Sequence, residues 1–211
     1  MTNQISKLQS HPLQGMYFLS AVSEDILAIE SRTENQLFYS VFDLVTGRLL
    51  SEIPARLLSP WYTLSGTADG RLILQHFESR QNPDQVKLFV FDFWKNTLLN
   101  EIPEAPPQPI VQSPTFFHET SADFGLFKQL IGPELVLGCE YQEVNTHVII
   151  SYYVRTGTSF CRFLLILTDG QEVYRDVQDE EMKGIALGSF FTFQNRLIFV
   201  RHTRELIIHE I

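Results

Sequence analysis

Two stretches of the chain are near copies of one another and decide its fold class. "SVFDLVTGRLLSEIP" runs from Ser40 to Pro54, and "FVFDFWKNTLLNEIP" runs from Phe89 to Pro103. Eight of the fifteen positions are identical without a gap, at a shift of 49 residues. Self-similarity at a fixed period of about 20–50 residues is typical of repeat architectures. Each copy is therefore expected to belong to one unit of a repeated structure.

The match extends backwards from both copies. "YFLS" (Tyr17–Ser20) is answered by "WYTLS" (Trp61–Ser65), and "ESR" occurs at Glu30–Arg32 and again at Glu78–Arg80. The offsets drift from 45 to 49 residues. Small insertions must lie in the turns between the matched stretches, since turns tolerate length changes.

Each unit consists of four short apolar runs separated by turn-forming residues. Runs of 5 to 8 residues suit strands, and breaks such as Asp69-Gly70 suit tight turns. A fainter unit follows the first two, with the hairpin dipeptide Asp169-Gly170, and a fourth unit holds only three runs. Four antiparallel strands in about 45 residues, repeated along the chain, are typical of a propeller blade.

The sequence therefore predicts an all-β fold, a small β-propeller of four-stranded antiparallel blades in one domain. Four blades are expected, with five as the alternative. The N-terminal segment is expected to complete the last blade, with residues near Ile5 and Leu8 pairing against Leu206–Ile208, because such closure removes an exposed sheet edge. The expected blades span residues 17–54, 61–103, 133–178 and 186–211.

Residues 104–132 do not fit the repeat. The segment opens with prolines, which resist regular pairing, and continues with aromatic residues and a predicted short helix around Ala122–Leu130. Loops of this length inside compact domains are often functional or mobile. Alternatively, the segment holds one or two strands of an extra, degenerate blade.

The stretch "VFDLVTGRLLSEI" resembles the blade signature of quinoprotein-type and other WD-like β-propeller repeats. In those repeats an aspartate ends the third strand, a tight turn follows and an apolar pair opens the fourth. The tryptophan that often follows the pair is replaced here by Ser51-Glu52 and Asn100-Glu101, so no cofactor is expected. Asp43 and Asp92 are interpreted as turn caps rather than catalysts, because an aspartate before a tight turn can accept main-chain N–H bonds.

Charge and composition restrict the partners. With 16 basic against 25 acidic residues and a net charge of −9, the chain lacks the clustered cations that nucleic acid or anionic lipid requires. The first residues have no cationic start and no apolar run of signal-peptide length, so no secretory leader is expected, and no apolar run reaches membrane-spanning length. Cys139 and Cys161 are spaced for neither a zinc site nor a disulfide framework and are interpreted as reduced thiols. A cytoplasmic location is expected.

The sequence contains no HExxH, GxGxxG, GxxxxGK(S/T) or GxSxG motif, and no metal site is expected. An enzymatic alternative, a hydrolase or lyase with its site at a channel mouth, would draw on Asp69, His118, Glu119 and Glu140. The acidic stretch 176–184 lacks the ligand spacing of a calcium loop and is interpreted as a solvated linker.

The leading hypothesis is a non-enzymatic scaffold that binds another protein or a small ligand. Its contact surface is expected on one face of the ring together with the 104–132 segment. Deletion of residues 108–128 is expected to abolish partner capture and to leave the fold intact. Trp61 and Trp94 are expected to pack between blades, with a role as partner anchors as the alternative. The candidate binding residues are Phe116, Phe117, His118, Trp61 and Trp94.

Overall fold

The computed structural model describes residues 7–23, 25–54, 58–59, 61–78, 85–108 and 111–211. Strands dominate these residues and form four antiparallel sheets, and the described part of the chain holds a single short helix. The predicted all-β class is therefore confirmed. Within the same residues, no helix combines the length and apolarity needed to cross a bilayer.

The chain forms two compact units. The N-terminal unit comprises His11–Ile110, and the C-terminal unit comprises Met1–Ser10 with Val111–Ile211. The first strand, β1 (Lys7–Pro12), belongs to the last sheet of the chain. The organisation as one domain stays a prediction.

The N-terminal unit contains two four-stranded meanders, each in the order of the sequence. The first sheet consists of β2 (Met16–Ser23), β3 (Ile26–Arg32), β4 (Leu37–Asp43) and β5 (Leu49–Pro54). The second sheet consists of β6 (Tyr62–Ala68), β7 (Arg71–Phe77), β8 (Val86–Asp92) and β9 (Thr97–Ile102). The four apolar runs of each repeat are thus four consecutive strands.

Strand register supports most of the repeat but corrects one part of it. Leu27 lies opposite Phe42 in the first sheet, and Leu72 lies opposite Phe91 in the second. The strands β3 and β7 therefore correspond at a shift of 45, which places Glu30 at the position of Gln75. Glu78 lies beyond the end of β7, so the second "ESR" is not the structural counterpart of the first.

The two repeated aspartates cap the turns that follow them, as predicted. The Asp43 carboxylate accepts the main-chain N–H of Thr46 at 2.8 Å. The Asp92 carboxylate accepts the N–H groups of Trp94 and Lys95, both at 3.0 Å. Each bond satisfies a donor that the turn leaves without a ladder partner. The core of this unit includes the fully buried side chains of Tyr39, Phe91 and Phe93.

The third sheet lies in the C-terminal unit and has five strands rather than four. In spatial order they are β10 (Thr115–His118), β11 (Leu135–Val144), β12 (His147–Thr156), β13 (Ser159–Thr168) and β14 (Gln171–Met182). The extra strand β10 comes from the 104–132 segment. Among the described residues there is no fifth sheet, so the alternative of an additional blade is wrong.

The acidic stretch 176–184 is not a solvated linker, because β14 continues through it to Met182. Gln178 and Asp179 are buried, and each has a partner on another strand of the same sheet. Ser151 donates to the Gln178 side chain at 2.7 Å, and Arg162 forms an ion pair with Asp179. Partners from other strands thus compensate the cost of burying these polar groups.

The fourth sheet joins the two ends of the chain. It contains β15 (Phe190–Phe193), β16 (Arg196–Arg201), β17 (Glu205–Glu210) and, next to β17, the N-terminal strand β1. The predicted partnership of the N-terminal segment with Leu206–Ile208 is thereby supported at the level of the strands, although Ile5 lies outside the described residues. Ser10 of β1 also donates a hydrogen bond to the Glu205 carboxylate.

Candidate functional site

The 104–132 segment contains one helix, α1 (Phe124–Ile131), which forms where the sequence predicted it. Phe124 and Phe127 are buried at a spacing of three residues, so one side of the helix packs on the third sheet. The Phe127 ring lies 4.9 Å from Phe117 and 5.4 Å from Tyr141. The helix ends at Ile131, and the residue that caps it is Gly132, whose φ of 137° suits glycine.

The opposite side of α1 carries two exposed leucines. Leu126 is 64% exposed and Leu130 is 50% exposed. Residues four apart on a helix are surface neighbours, so these two side chains form one apolar stripe, which we call the leucine ridge. The inner face of the same helix already supplies its packing. Solvent exposure of the ridge therefore adds nothing to the stability of the unit.

Three acidic residues flank α1 in the sequence. Glu119, Asp123 and Glu134 are all exposed, whereas Lys128 is the one basic residue of the helix. The Lys128 ammonium lies 5.5 Å from the Phe124 ring centroid. We call the exposed carboxylates that precede the helix, Glu119 and Asp123, and the one that follows it, Glu134, the acidic rim.

Glu134 is also electrostatically coupled to the sheet beneath the helix. Burial, the largest cause, and the negative charges of Glu172 and Glu134 raise the pKa of Tyr152, against the opposing charge of Arg175. A hydrogen bond from Arg175 is the main cause of the lowered pKa of Glu172. The hydrogen bond to Glu172 is the largest cause of the raised pKa of Arg175, and the negative charge of Glu134 raises it further. Arg175 therefore compensates part of the charge of Glu134 as well.

The three predicted binding residues of β10 have different environments. Phe117 is half-buried in the core beside α1, and Phe116 is half-buried over Gly138, where an added Cβ would lie 2.6 Å from the Phe116 ring. His118 is exposed, with its Nδ1 2.9 Å from the Thr120 hydroxyl and accepting the Thr120 N–H at 3.2 Å. Of the three, His118 is the most accessible to a partner.

Because Phe117, Phe124 and Phe127 belong to one core cluster, the 104–132 segment is an integral part of the C-terminal unit. Gln112 also forms a β-bridge with Thr192 of β15. The main-chain nitrogen of Gln112 lies 3.1 Å from the Thr192 carbonyl oxygen, and the nitrogen of Thr192 lies 2.9 Å from the Gln112 carbonyl oxygen. The expectation that residues 108–128 can be deleted without damage to the fold is therefore wrong.

Two of the predicted catalytic residues hold main chain in place. The exposed Glu119 carboxylate accepts the N–H of Leu137 at 3.0 Å. The Glu140 carboxylate is only 4% exposed and accepts the N–H groups of Gly188 at 2.6 Å and Ser189 at 2.9 Å. This geometry gives Glu140 an anchoring role.

The segment that Glu140 holds, residues 183–189, connects the third sheet to the fourth, and we call it the strap. The Tyr153 hydroxyl donates to the Ala186 carbonyl at 2.8 Å and accepts the Ala186 N–H at 2.9 Å. Arg162, buried beside Asp179, donates to the same carbonyl at 3.1 Å. Leu187 of the strap is nevertheless 65% exposed. The strap is thus an exposed connection whose main chain is held by hydrogen bonds with buried side chains of the third sheet.

The remaining candidates lie in the N-terminal unit. Asp69 is an exposed turn residue between β6 and β7, with a φ of 48° that aspartate tolerates in tight turns. Trp94 is 63% exposed, with its ring 4.8 Å from that of Phe93. Trp61 precedes β6 and is 38% exposed. The expected packing role is therefore wrong for Trp94, whose exposure favours the anchor alternative.

The structure brings no reactive cluster together within the residues it describes. No group of three or more His, Cys, Asp or Glu side chains there could hold a metal ion. Asp69 belongs to the N-terminal unit, while His118, Glu119 and Glu140 belong to the C-terminal unit. Their assignment to catalysis stays a prediction.

Sequence reasoning missed Leu126 and Leu130. The sequence "FGLFKQLI" indicates in part that apolar side chains of this helix are exposed, because it contains more apolar residues than one buried face can hold. The pattern alone does not reveal which of its apolar residues meet the sheet.

Comparisons with known proteins do not assign the chain to a family. No protein-family model matches it, and no curated protein matches it. Among solved structures, an uncharacterized protein from Listeria monocytogenes EGD-e is similar at 10% identity and a TM-score of 0.32, over 90% of this chain and 80% of that one. The Dos1 propeller is similar at 10% identity and a TM-score of 0.28, over 92% of this chain and 67% of that one.

Proposed function

We propose that the protein is a non-enzymatic binding module that contacts another protein through the leucine ridge of α1. The observation that carries this proposal is the exposure of Leu126 and Leu130 on a helix whose other side is already packed. An exposed apolar surface with a polar rim is a common feature of interaction sites. The accessible His118 at the end of β10 extends the proposed surface.

Burial of the ridge alone contributes only part of the free energy that stable binding requires. Burying one leucine side chain contributes about 1.5–3 kcal/mol, so the pair contributes about 3–6 kcal/mol. Association costs about 4–15 kcal/mol in lost freedom of the two partners. The ridge alone is therefore too small, and the proposal requires that neighbouring side chains contact the same partner.

A protein partner explains the ridge better than a small ligand does. Small-ligand sites are concave and enclose most of the ligand surface, whereas Leu126 and Leu130 project from the outer side of a helix. The proposed location is the reducing cytoplasm, which agrees with the two free thiols of Cys139 and Cys161.

Affinity capture with matched variants tests the proposal. The bait is the full chain, presented to a lysate of the native host and analysed by quantitative mass spectrometry. The double variant Leu126→Glu/Leu130→Glu is expected to lose the captured protein. The control is Leu187→Glu, since Leu187 is 65% exposed and Leu126 is 64% exposed, and it is expected to retain the captured protein.

Thermal unfolding of all three baits shows whether a loss of capture has a trivial cause. Both leucines of the ridge are exposed, so their replacement is expected to leave the unfolding midpoint nearly unchanged. Equal capture by the wild type and the folded double variant would refute the proposed surface.

A further inference from the structure

The charges around the leucine ridge point to the chemistry of its partner, an inference that rests on the proposed function. We propose that the ridge binds an amphipathic helix with an apolar stripe and Lys or Arg on both sides of it. The apolar stripe would pack on Leu126 and Leu130, and the basic side chains would face the surrounding carboxylates.

The shape of the ridge favours a helical partner. Side chains four apart form ridges that fit the grooves of another helix at an interaxial distance of about 8–10 Å. With eight residues, α1 is about 12 Å long and spans about two turns of such a partner. A partner with leucine-like residues at intervals of three or four can therefore contact both leucines of the ridge at once.

The charge of the rim favours a basic partner. Glu119, Asp123 and Glu134 are exposed around α1, and Lys128 is the one opposing charge on the helix itself. Arg175 is paired with Glu172 at 2.7 Å and also interacts electrostatically with Glu134, so it offsets only part of the negative charge of the rim. An acidic partner helix would place like charges against these carboxylates, which disfavours the contact.

Binding of synthetic helices tests the inference directly. Three fluorescent peptides of about five helical turns are compared by anisotropy: one with a leucine stripe and lysines on its polar face, one with the same stripe and glutamates, and a scrambled form of the lysine peptide. The lysine peptide is expected to bind about tenfold more tightly than either of the others. Raising the salt from about 50 to about 300 mM is expected to weaken its binding.

Charge-matched variants separate the rim from the overall acidity of the chain. The rim variant Glu119→Gln/Asp123→Asn/Glu134→Gln keeps an acceptor oxygen at each position. The control variant replaces three exposed glutamates elsewhere by glutamine, and both variants reduce the net charge of −9 by the same amount. The rim variant is expected to weaken the lysine peptide about tenfold and the control less than about twofold. The control positions are Glu34, Glu180 and Glu181.

The outcomes distinguish the inference from the function on which it rests. Equal weakening by the rim and control variants, or equal binding of the lysine and glutamate peptides, would overturn the inference. Unchanged binding of the lysine peptide to Leu126→Glu/Leu130→Glu would also overturn it, because the peptide would then bind elsewhere. The proposed function fails separately, if that double variant still captures the natural partner.

Discussion

The strap offers the sharpest test of a single buried group. In the variant Glu140→Gln the side chain keeps one acceptor oxygen and gains an NH₂ group. The wild-type carboxylate accepts two N–H groups, from Gly188 at 2.6 Å and Ser189 at 2.9 Å. One of these donors therefore loses its acceptor and faces another donor instead.

The expected cost follows from the burial of the site. Glu140 is 4% exposed, so water does not readily replace the lost acceptor. A hydrogen bond to a charged group contributes about 1.5–3 kcal/mol, and a buried donor without a partner costs about 1–3 kcal/mol. We expect the strap to open more easily by about 3 kcal/mol, which corresponds to about a hundredfold in an equilibrium constant.

Native-state hydrogen exchange measures this opening at the amides of Gly188 and Ser189. Both are expected to exchange about a hundredfold faster in Glu140→Gln. The control Glu143→Gln lies on the same strand at an exposed position and is expected to leave the strap unchanged. Wild-type protection of Gly188 and Ser189 in Glu140→Gln would refute the anchoring role.

Three further predictions concern the buried core. Phe91→Ala should lower the free energy of unfolding by about 3–5 kcal/mol in a denaturant titration, since Phe91 is 1% exposed. The control Phe18→Ala, at a 50% exposed position, should lower it by about 1 kcal/mol. Equal losses in the two variants would contradict the assignment of Phe91 to the core. Iodoacetamide at about pH 8 should modify half-buried Cys161 and spare buried Cys139, as peptide mass mapping would show. Burial, reinforced by a neighbouring negative charge, raises the pKa of Cys139 from 9.0 to about 12. The thiol of the unfolded chain therefore loses its proton at a lower pH than the thiol of the folded chain, so the free energy of unfolding should fall as the pH rises above 9.0. Cys139→Ala should reduce the slope of the free energy of unfolding against pH by up to about 1.4 kcal/mol per pH unit.

The strands of the repeat were predictable because their causes are local. Alternating apolar residues and the turn dipeptide Asp169-Gly170, both members of which adopt positive φ, determine a hairpin within a few residues of sequence. Asp43 and Asp92 likewise act on main chain within three residues of themselves. Such interactions can be inferred from a short stretch without knowledge of the tertiary fold.

The errors arose where distant residues determine the structure. Gln178 and Asp179 look like solvated linker residues until Ser151 and Arg162 supply partners from other strands. The "ESR" identity conflicts with the strand register, which places Glu30 three residues after Leu27 and Gln75 three residues after Leu72. A sequence match of three residues is too short to determine a register.

The candidate site was predictable only in part. The sequence indicated the correct segment and its helix, but it emphasised Phe116 and Phe117, of which Phe117 packs inside the unit. Leu126 and Leu130 could be distinguished from Phe124 and Phe127 only after the side of α1 that packs on the third sheet was known. Tertiary packing, rather than local propensity, separates core from contact surface in so apolar a helix.

Site-specific photo-crosslinking in cells of the native host tests the central claim most directly. A benzophenone amino acid is placed at Leu130 of the ridge, which is 50% exposed, and, in a separate sample, at Leu187 of the strap, which is 65% exposed. The protein-binding role of α1 predicts one discrete crosslinked protein from position 130 and none in common with position 187. No adduct at position 130, or the same adducts at both positions, would contradict it.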